Sequence, residues 1–198
     1  EGGQLKKTTL SAVAAAQKIA GDMHALVLGQ GVQAVADEMA KYVGKVHLAE
    51  HDGIKDRLAQ PYAKVIADVA KAIGATHVWA SATVAGKDIM PRVASRLEAG
   101  MASEIQEVVD DKTFKRPMWA GNVIGTVEIA SAIKVITVRG TEFPPAAETG
   151  GGEVVKAEAD PGDTNMQYVG FDAVVSERPA LTEASAVVAG GRGVKGPE

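Results

Sequence analysis

Three short stretches carry residue types that could do chemistry. The first is VVAGGRGVKGPE, residues 187–198, where Gly190, Gly191 and Gly193 bracket Arg192. With the apolar run Ala186 to Ala189 ahead of it, it reads as a buried strand opening into a turn whose amides and guanidinium could grip a phosphate. An arginine between glycines serves equally well as an exposed turn residue, so the residues alone leave anion binding and plain turning both open. The second is GQGVQA at 29–34, a G-x-G-x-x-A pattern trailed about 20 residues later by Glu50. Glycines there would let backbone approach a pyrophosphate, and the acid could take a ribose hydroxyl. In a chain with 22 glycines the preferred reading is a plain strand-to-helix turn. The third is HLAEH at 47–51, which matches H-x-x-E-H letter for letter. Zinc chelation by that pattern needs a helix, where positions four apart share a face. This segment reads instead as a strand end, on which the two imidazoles would stand roughly 13 Å apart. His24 and His77 read as packing or capping residues. No Ser/His/Asp order and no carboxylate pair appears, so neither a catalytic residue nor a metal ligand is assigned.

These stretches need a scaffold, and composition bounds it. The chain has 198 residues, 46% of them hydrophobic, enough to bury a core. Aromatics are only 4% while Ala, Val and Gly abound, which favours helices packed closely on a sheet over an all-β sandwich. The formal charge of −4 with dispersed basic residues argues against a nucleic-acid partner. There is no cysteine, hence no disulfide, thiolate nucleophile or cysteine-based metal site, in keeping with a reducing compartment. No run approaches a membrane span and no signal segment is visible, so the expectation is a soluble intracellular protein.

Apolar periodicity then orders the elements. Leu10, Val13, Ala16, Ile19 and Ala20 predict a helix after Thr8-Thr9, stopped by Gly21. Ala25–Leu28 reads as a strand, followed by a helix on Val32, Val35, Ala36, Met39 and Val43. Lys45–Leu48 repeats the strand, and Tyr62, Val65, Ile66, Val69 and Ile73 make a helix with Pro61 at its first position. His77–Ala80 is the next strand, and Asp88 is expected to cap a helix carrying Ile89, Val93 and Leu97, closed by Gly100. Three such units in series predict a parallel sheet flanked by helices, an α/β fold. Beyond Gly100, the runs 105–109, 114–119 and 123–129 predict a small antiparallel excursion around residues 104–130. Ile133–Val138 returns to the sheet, 141–162 reads as loop or crossover, Val169–Val175 as a strand, and 178–185 as a connector.

A family resemblance rests on longer stretches. TVAGKDIMPRVASRLEAGMASEI (83–105), RPMWAGNVIGTV (116–127) and IKVITVR (133–139), with GGQLKKTTLSAVAAAQKIA at the start and RPALTEASAVVAGGRGVKGPE at the end, resemble in order the alpha subunit of the electron-transfer flavoproteins. The resemblance implies a Rossmann-like domain of the adenine-nucleotide alpha-hydrolase type over residues 1–184, and the start of a C-terminal FAD-binding domain at 185–198. It implies an electron carrier rather than an enzyme with its own substrate, taking electrons from dehydrogenases, as in fatty acid beta-oxidation, and passing them on through FAD. A beta subunit carrying AMP is the implied partner, and neither nucleic acid nor membrane insertion is expected. The family's flavin-contacting arginine falls on Arg192, with Gly191 and Gly193 beside it, so these are the expected cofactor-binding residues. Members of the family also begin with an apolar strand ahead of Glu1-Gly2-Gly3 and continue past Glu198, so FAD is expected to bind this stretch weakly on its own. The GQGVQA turn and HLAEH receive no catalytic role from the resemblance. Met90, Met118 and Trp119 read as core or as subunit contacts. The implied setting is bacterial cytoplasm, with mitochondrial matrix as the alternative. A different reading, an adenine-nucleotide-binding module or a flavin-free assembly scaffold, is kept beside it.

Overall fold

The computed structural model describes residues 3–19, 21–170, 172, 181, 184–194 and 196. They fall into two units, one ending at Tyr168 and one starting at Val169. The first unit is α/β, as the alternation of periodicities predicts. Its helices are α1 (Lys7–Ala16), α2 (Gln33–Met39), α3 (Ala59–Ala72) and α4 (Val84–Arg96). Its strands are β1 (His24–Gly29), β2 (Lys45–Glu50), β3 (His77–Ser81), β4 (Gly100–Ile105), β5 (Glu107–Val108), β6 (Thr113–Met118), β7 (Val123–Glu128), β8 (Lys134–Val138) and β9 (Glu153–Lys156).

The parallel strands divide into two ladders, β1-β2-β9 and β3-β8-β4, and the excursion forms a separate antiparallel ladder, β5-β6-β7. Burial follows the ladders: β2 and β8, each flanked on both sides, are nearly closed to solvent, whereas β3 is only half-buried along its whole length. Val, Ile and Leu fill the paired strands because continuous apolar runs suit a sheet covered on both faces. On one face, α3 and α4 pack Tyr62, Val65, Val69, Met90 and Val93 against Leu26 and Leu28 of β1 and Val78 and Ala80 of β3, so one helical layer spans both ladders. On the other face, α1 lays Ala12 and Ala15 on Ile136 and Val138 of β8 and on Phe114 of the antiparallel ladder. α2 covers β1 and β2 through Ala36 and Met39. Burying side chains such as Val93, Ile136 and Phe114, all closed to solvent, contributes about 1.5–3 kcal/mol each.

Several boundaries differ from expectation for local physical reasons. α4 is capped by Thr83, whose hydroxyl accepts from the Gly86 amide at 3.2 Å, and not by Asp88. Asp88 lies one turn inside and pairs with Arg92 four residues on. Gly100 opens β4 rather than closing the helix; the chain turns at Glu98, which adopts φ +50°. Pro61 is the third residue of α3, still within the first turn where its missing N–H costs nothing. The segment expected as loop at 141–162 holds β9, which adds a parallel strand to the outer edge of β2, Val46 opposite Val154. It is anchored by Gly152, whose amide donates to the Ala40 carbonyl at 2.7 Å. A Cβ at Gly152 would collide with the Val43 carbonyl, so only glycine fits there.

In the second unit the run Ala186–Ala189 is not a strand, and Val187 and Val188 are exposed. The strand expected at 169–175 and the connector at 178–185 lie mostly outside the described residues.

Candidate functional site

Arg192–Val194 form a single turn of 3-10 helix, closed by the Val194 amide donating to the Gly191 carbonyl at 3.1 Å. Arg192 is exposed and has no hydrogen bond or ion pair with another described residue. Around Gly191 and Gly193 no described residue lies within 4 Å of where a side chain would start, chain neighbours aside. A guanidinium without a partner among the described residues suits an anion such as a diphosphate, because its planar fork presents several donors at once. The turn is not mounted on a buried strand: Ala186–Ala189, which lead into it, are exposed.

The GQGVQA turn is built differently. Gly31 takes φ +66°, the left-handed region that glycine enters without penalty. The Val32 amide, which opens α2, donates to Oε1 of Glu50 at 2.8 Å, and Nε2 of Gln30 donates to Asp52 at 2.6 Å. The acid that a dinucleotide site would use for a ribose therefore occupies the amide that the turn would offer a phosphate. A carboxylate at a helix N-terminus is stabilising there, and it fills the position with the chain's own charge. The plain-turn reading fits this geometry.

HLAEH is likewise divided by its backbone. His47 lies within β2 and is nearly buried, with Nε2 3.1 Å from Nδ1 of His24 on β1. His51 follows the strand, and its Nδ1 accepts from the Gly53 amide at 2.9 Å, capping a short 3-10 turn at Asp52–Ile54. The two imidazoles thus serve different partners, and no cluster of three metal-ligating side chains exists among the described residues. His77 stacks on Trp79 with ring centres 6.3 Å apart, and its Nε2 lies 2.6 Å from the Asp111 carbonyl, a packing and capping role as expected.

The three residues left between core and contact separate cleanly. Met90 is buried in the α3–α4 layer. Met118 and Trp119 sit at the tip of the β6–β7 hairpin, where Trp119 is 81% exposed with Val123 and Ile124 exposed beside it. Trp119 and Ala120 both adopt left-handed backbone, at φ +52° and +53°. That conformation costs non-glycine residues about 1–2 kcal/mol each.

Two groupings escaped the sequence reading. The His24–His47 pair arises because the β1–β2 register sets Leu26 against His47 and His24 against Lys45. Burial, then the neighbouring His24 and Lys45, hold the His47 imidazole below the usual histidine value. The second grouping centres on Glu104 in β4, where the ladder slips between Ala102 and Ile105 and Glu104 takes φ +53°. The Glu104 amide donates to the Thr137 hydroxyl at 3.0 Å, while its carboxylate meets Lys87 at 2.8 Å and Arg139 at 3.9 Å. The Lys87 contact comes first among the causes that hold this carboxyl below its ordinary range, ahead of the more distant Arg139 and Arg116. Strand register and a bulge bring these side chains together, and neither is written in local periodicity.

Comparison with known proteins supplies the context. Residues 1–161 match the family described as Electron transfer flavoprotein domain. The chain is 45% identical over 194 residues to the electron transfer flavoprotein subunit alpha of Pseudomonas aeruginosa, covering 96% of this chain and 62% of that protein. It is 38% identical over 200 residues to the corresponding subunit of Paracoccus denitrificans, covering 99% of this chain and 64% of that one. With a probable mitochondrial alpha subunit of Caenorhabditis elegans it shares 35% identity over 195 residues, 97% of this chain and 59% of that protein. The chain spans about three fifths of the length of these relatives.

Proposed function

Because the chain belongs to the electron transfer flavoprotein domain family, we propose that it works within an alpha subunit as a platform for electron transfer, with no substrate reaction of its own. The observation that carries this reading is the family match across residues 1–161 together with 45% identity to a bacterial alpha subunit. Residues 1–184 are then the N-terminal α/β domain, and 185–198 open a domain that holds FAD. Arg192, with Gly191 and Gly193 beside it, is the part of the cofactor site in this chain. Its guanidinium, without a partner among the described residues, suits the diphosphate, or the negative charge that grows as the flavin is reduced. FAD supplies the electron-accepting and electron-releasing chemistry when bound; this chain's own contribution is one arginine and a glycine backbone that does not obstruct it. The partner is a beta subunit carrying AMP, the donors are dehydrogenases such as those of fatty acid beta-oxidation, and the setting is bacterial cytoplasm or mitochondrial matrix. The filled GQGVQA turn speaks against an adenine nucleotide at Gly29–Ala34, since Glu50 already occupies the Val32 amide.

Native mass spectrometry of the assembly as isolated tests the proposal, because it reports chain masses, stoichiometry and bound nucleotides together. The expected spectrum shows this sequence paired with a second, different chain, with FAD and AMP in the complex. The 198-residue chain on its own is expected to hold FAD weakly or not at all. A lone 20.4 kDa chain carrying AMP or ATP and no flavin would overturn the reading in favour of a nucleotide module.

A further inference from the structure

Lys87, Glu104, Arg116 and Arg139 lie far apart in the sequence and meet at one end of the fold. Lys87 stands in the first turn of α4, which follows the C-terminal end of β3. Glu104 occupies the bulge near the end of β4, and Arg139 follows the last residue of β8. The three strands run parallel, so these positions share the carboxyl end of one ladder, where open α/β sheets take their ligands.

Arg116 reaches the same place from the antiparallel ladder. β5 pairs Glu107 with Lys115, and the Gln106 amide donates to the Lys115 carbonyl at 2.8 Å. Continued by one step, that register sets Gln106 beside Arg116 and leaves Glu104 one diagonal away, within reach of a long side chain. Lys87 comes first among the causes that hold the Glu104 carboxyl below its ordinary range, and the Arg116 charge is among them.

These four groups do not balance. Lys87 bonds Oε1 of Glu104 at 2.8 Å, and Arg139 stands 3.9 Å from the same oxygen. The Arg116 guanidinium makes no hydrogen bond or ion pair with a described residue. One carboxylate among three cations leaves two positive charges over, in a chain whose formal net charge is −4. Nor is Arg116 simply solvated, for it is half-buried and its Nε is closed to solvent without an acceptor. Met118 packs over Gly125, the residue opposite Arg116 in the hairpin, and covers that side. A shielded charged donor is costly to leave unmatched, and in native structures such groups are met by an ion or ordered water. The positive end of the α4 dipole adds to the field in the same sense.

We propose that Lys87, Arg116 and Arg139 form an oxyanion site at the carboxyl end of the β3-β8-β4 ladder, suited to a dianionic phosphate group. Two planar guanidiniums and one ammonium offer the donors that phosphate oxygens accept, and a double negative charge matches the surplus. Glu104 sets the affinity: it holds Lys87 and Arg139 in place and competes with the ligand for them. The site lies wholly within the first unit and depends neither on Arg192 nor on any flavin chemistry.

The test titrates inorganic phosphate into the full 198-residue chain at about pH 8, where phosphate is a dianion. Sodium chloride at equal ionic strength is the control, and the arginine Nε–H signals are followed by NMR. The expected result is a saturable shift of the Arg116 and Arg139 signals, half-complete at about 1 mM phosphate or less, and no such shift with chloride. Glu104→Gln keeps the shape of the side chain and removes the competing charge, so it is expected to tighten binding about threefold or more, whereas Arg116→Gln weakens it about tenfold. A purely structural ion cluster would show no saturable shift in either the parent chain or Glu104→Gln, and that result would overturn the proposal. So would an equal response to chloride, or an affinity unchanged by Arg116→Gln. Should that variant not fold, Arg116→Lys is read in its place; it keeps the charge, loses the fork, and is expected to weaken binding in the same direction.

Discussion

The side chains that looked chemical in the sequence are held by ordinary backbone demands, and each imposes a measurable behaviour. His47 is the clearest. Burial, with His24 and Lys45 beside it, lowers its affinity for a proton in the folded state below the ordinary value of 6.5. The unfolded chain therefore binds more protons at this site as pH falls, and stability is intact above about 6.5 and declines as pH drops below it toward the lower folded value. Urea unfolding between pH 7 and pH 5 is expected to show that decline, and His47→Gln to flatten it, by at most ~1.4 kcal/mol per pH unit. A decline equally steep in the variant would assign it to other groups. Residue identities made the histidines visible in the sequence; their pairing was not, because it depends on β1 lying beside β2 in one particular register. Arg192 could be singled out for the opposite reason: an arginine flanked by glycines is visible in the sequence itself, and the anion-binding role proposed for it calls on no other described residue.

Element by element, the first half of the chain reads almost directly, since strands β1 to β3 and helices α1 to α4 show a clean exchange of period. The misplaced boundaries trace to caps and turns. At α4 the real start is Thr83, and the glycine three residues on is needed for more than its amide. A Cβ on Gly86 would collide with the Ser81 carbonyl, which belongs to the strand that feeds the helix. Gly86→Ala is thus expected to cost about 1–3 kcal/mol through forced displacement. An open helical position would instead gain about 1 kcal/mol from the same change. Denaturant midpoints of the two proteins decide the sign. β9 escaped sequence reading because four residues set among prolines and glycines carry too little periodicity to announce a strand. Its place is fixed by the β2 edge it covers. The Glu104 bulge was hidden for a similar reason, since only the Thr137 hydroxyl and Arg139 across the ladder and Lys87 on α4 reveal it.

Across the whole molecule, composition and alternation conveyed the α/β class, and long ordered similarity conveyed the family, while the split into two ladders had no local signature. That split is bridged by the chain itself: after β8 it travels from one ladder to the outer edge of the other, where β9 pairs Lys45 with Glu153. β3 likewise waits for β8, His77 opposite Lys134. Both ladders are thus completed by residues made long after the strands they accompany. On the ribosome, β1 and β2 emerge early yet keep an exposed outer edge until residue 156 has left the exit tunnel, so order of synthesis and order of assembly are out of step. Nascent chains arrested with β8 exposed but β9 still enclosed are expected to remain protease-sensitive at β1 and β2, and those arrested beyond β9 to resist cleavage. Equal resistance at both lengths would show that the first ladder folds without its late strand. The same lag makes the interval between β2 and β9 the period in which a chaperone that shields apolar strand edges would have most to protect.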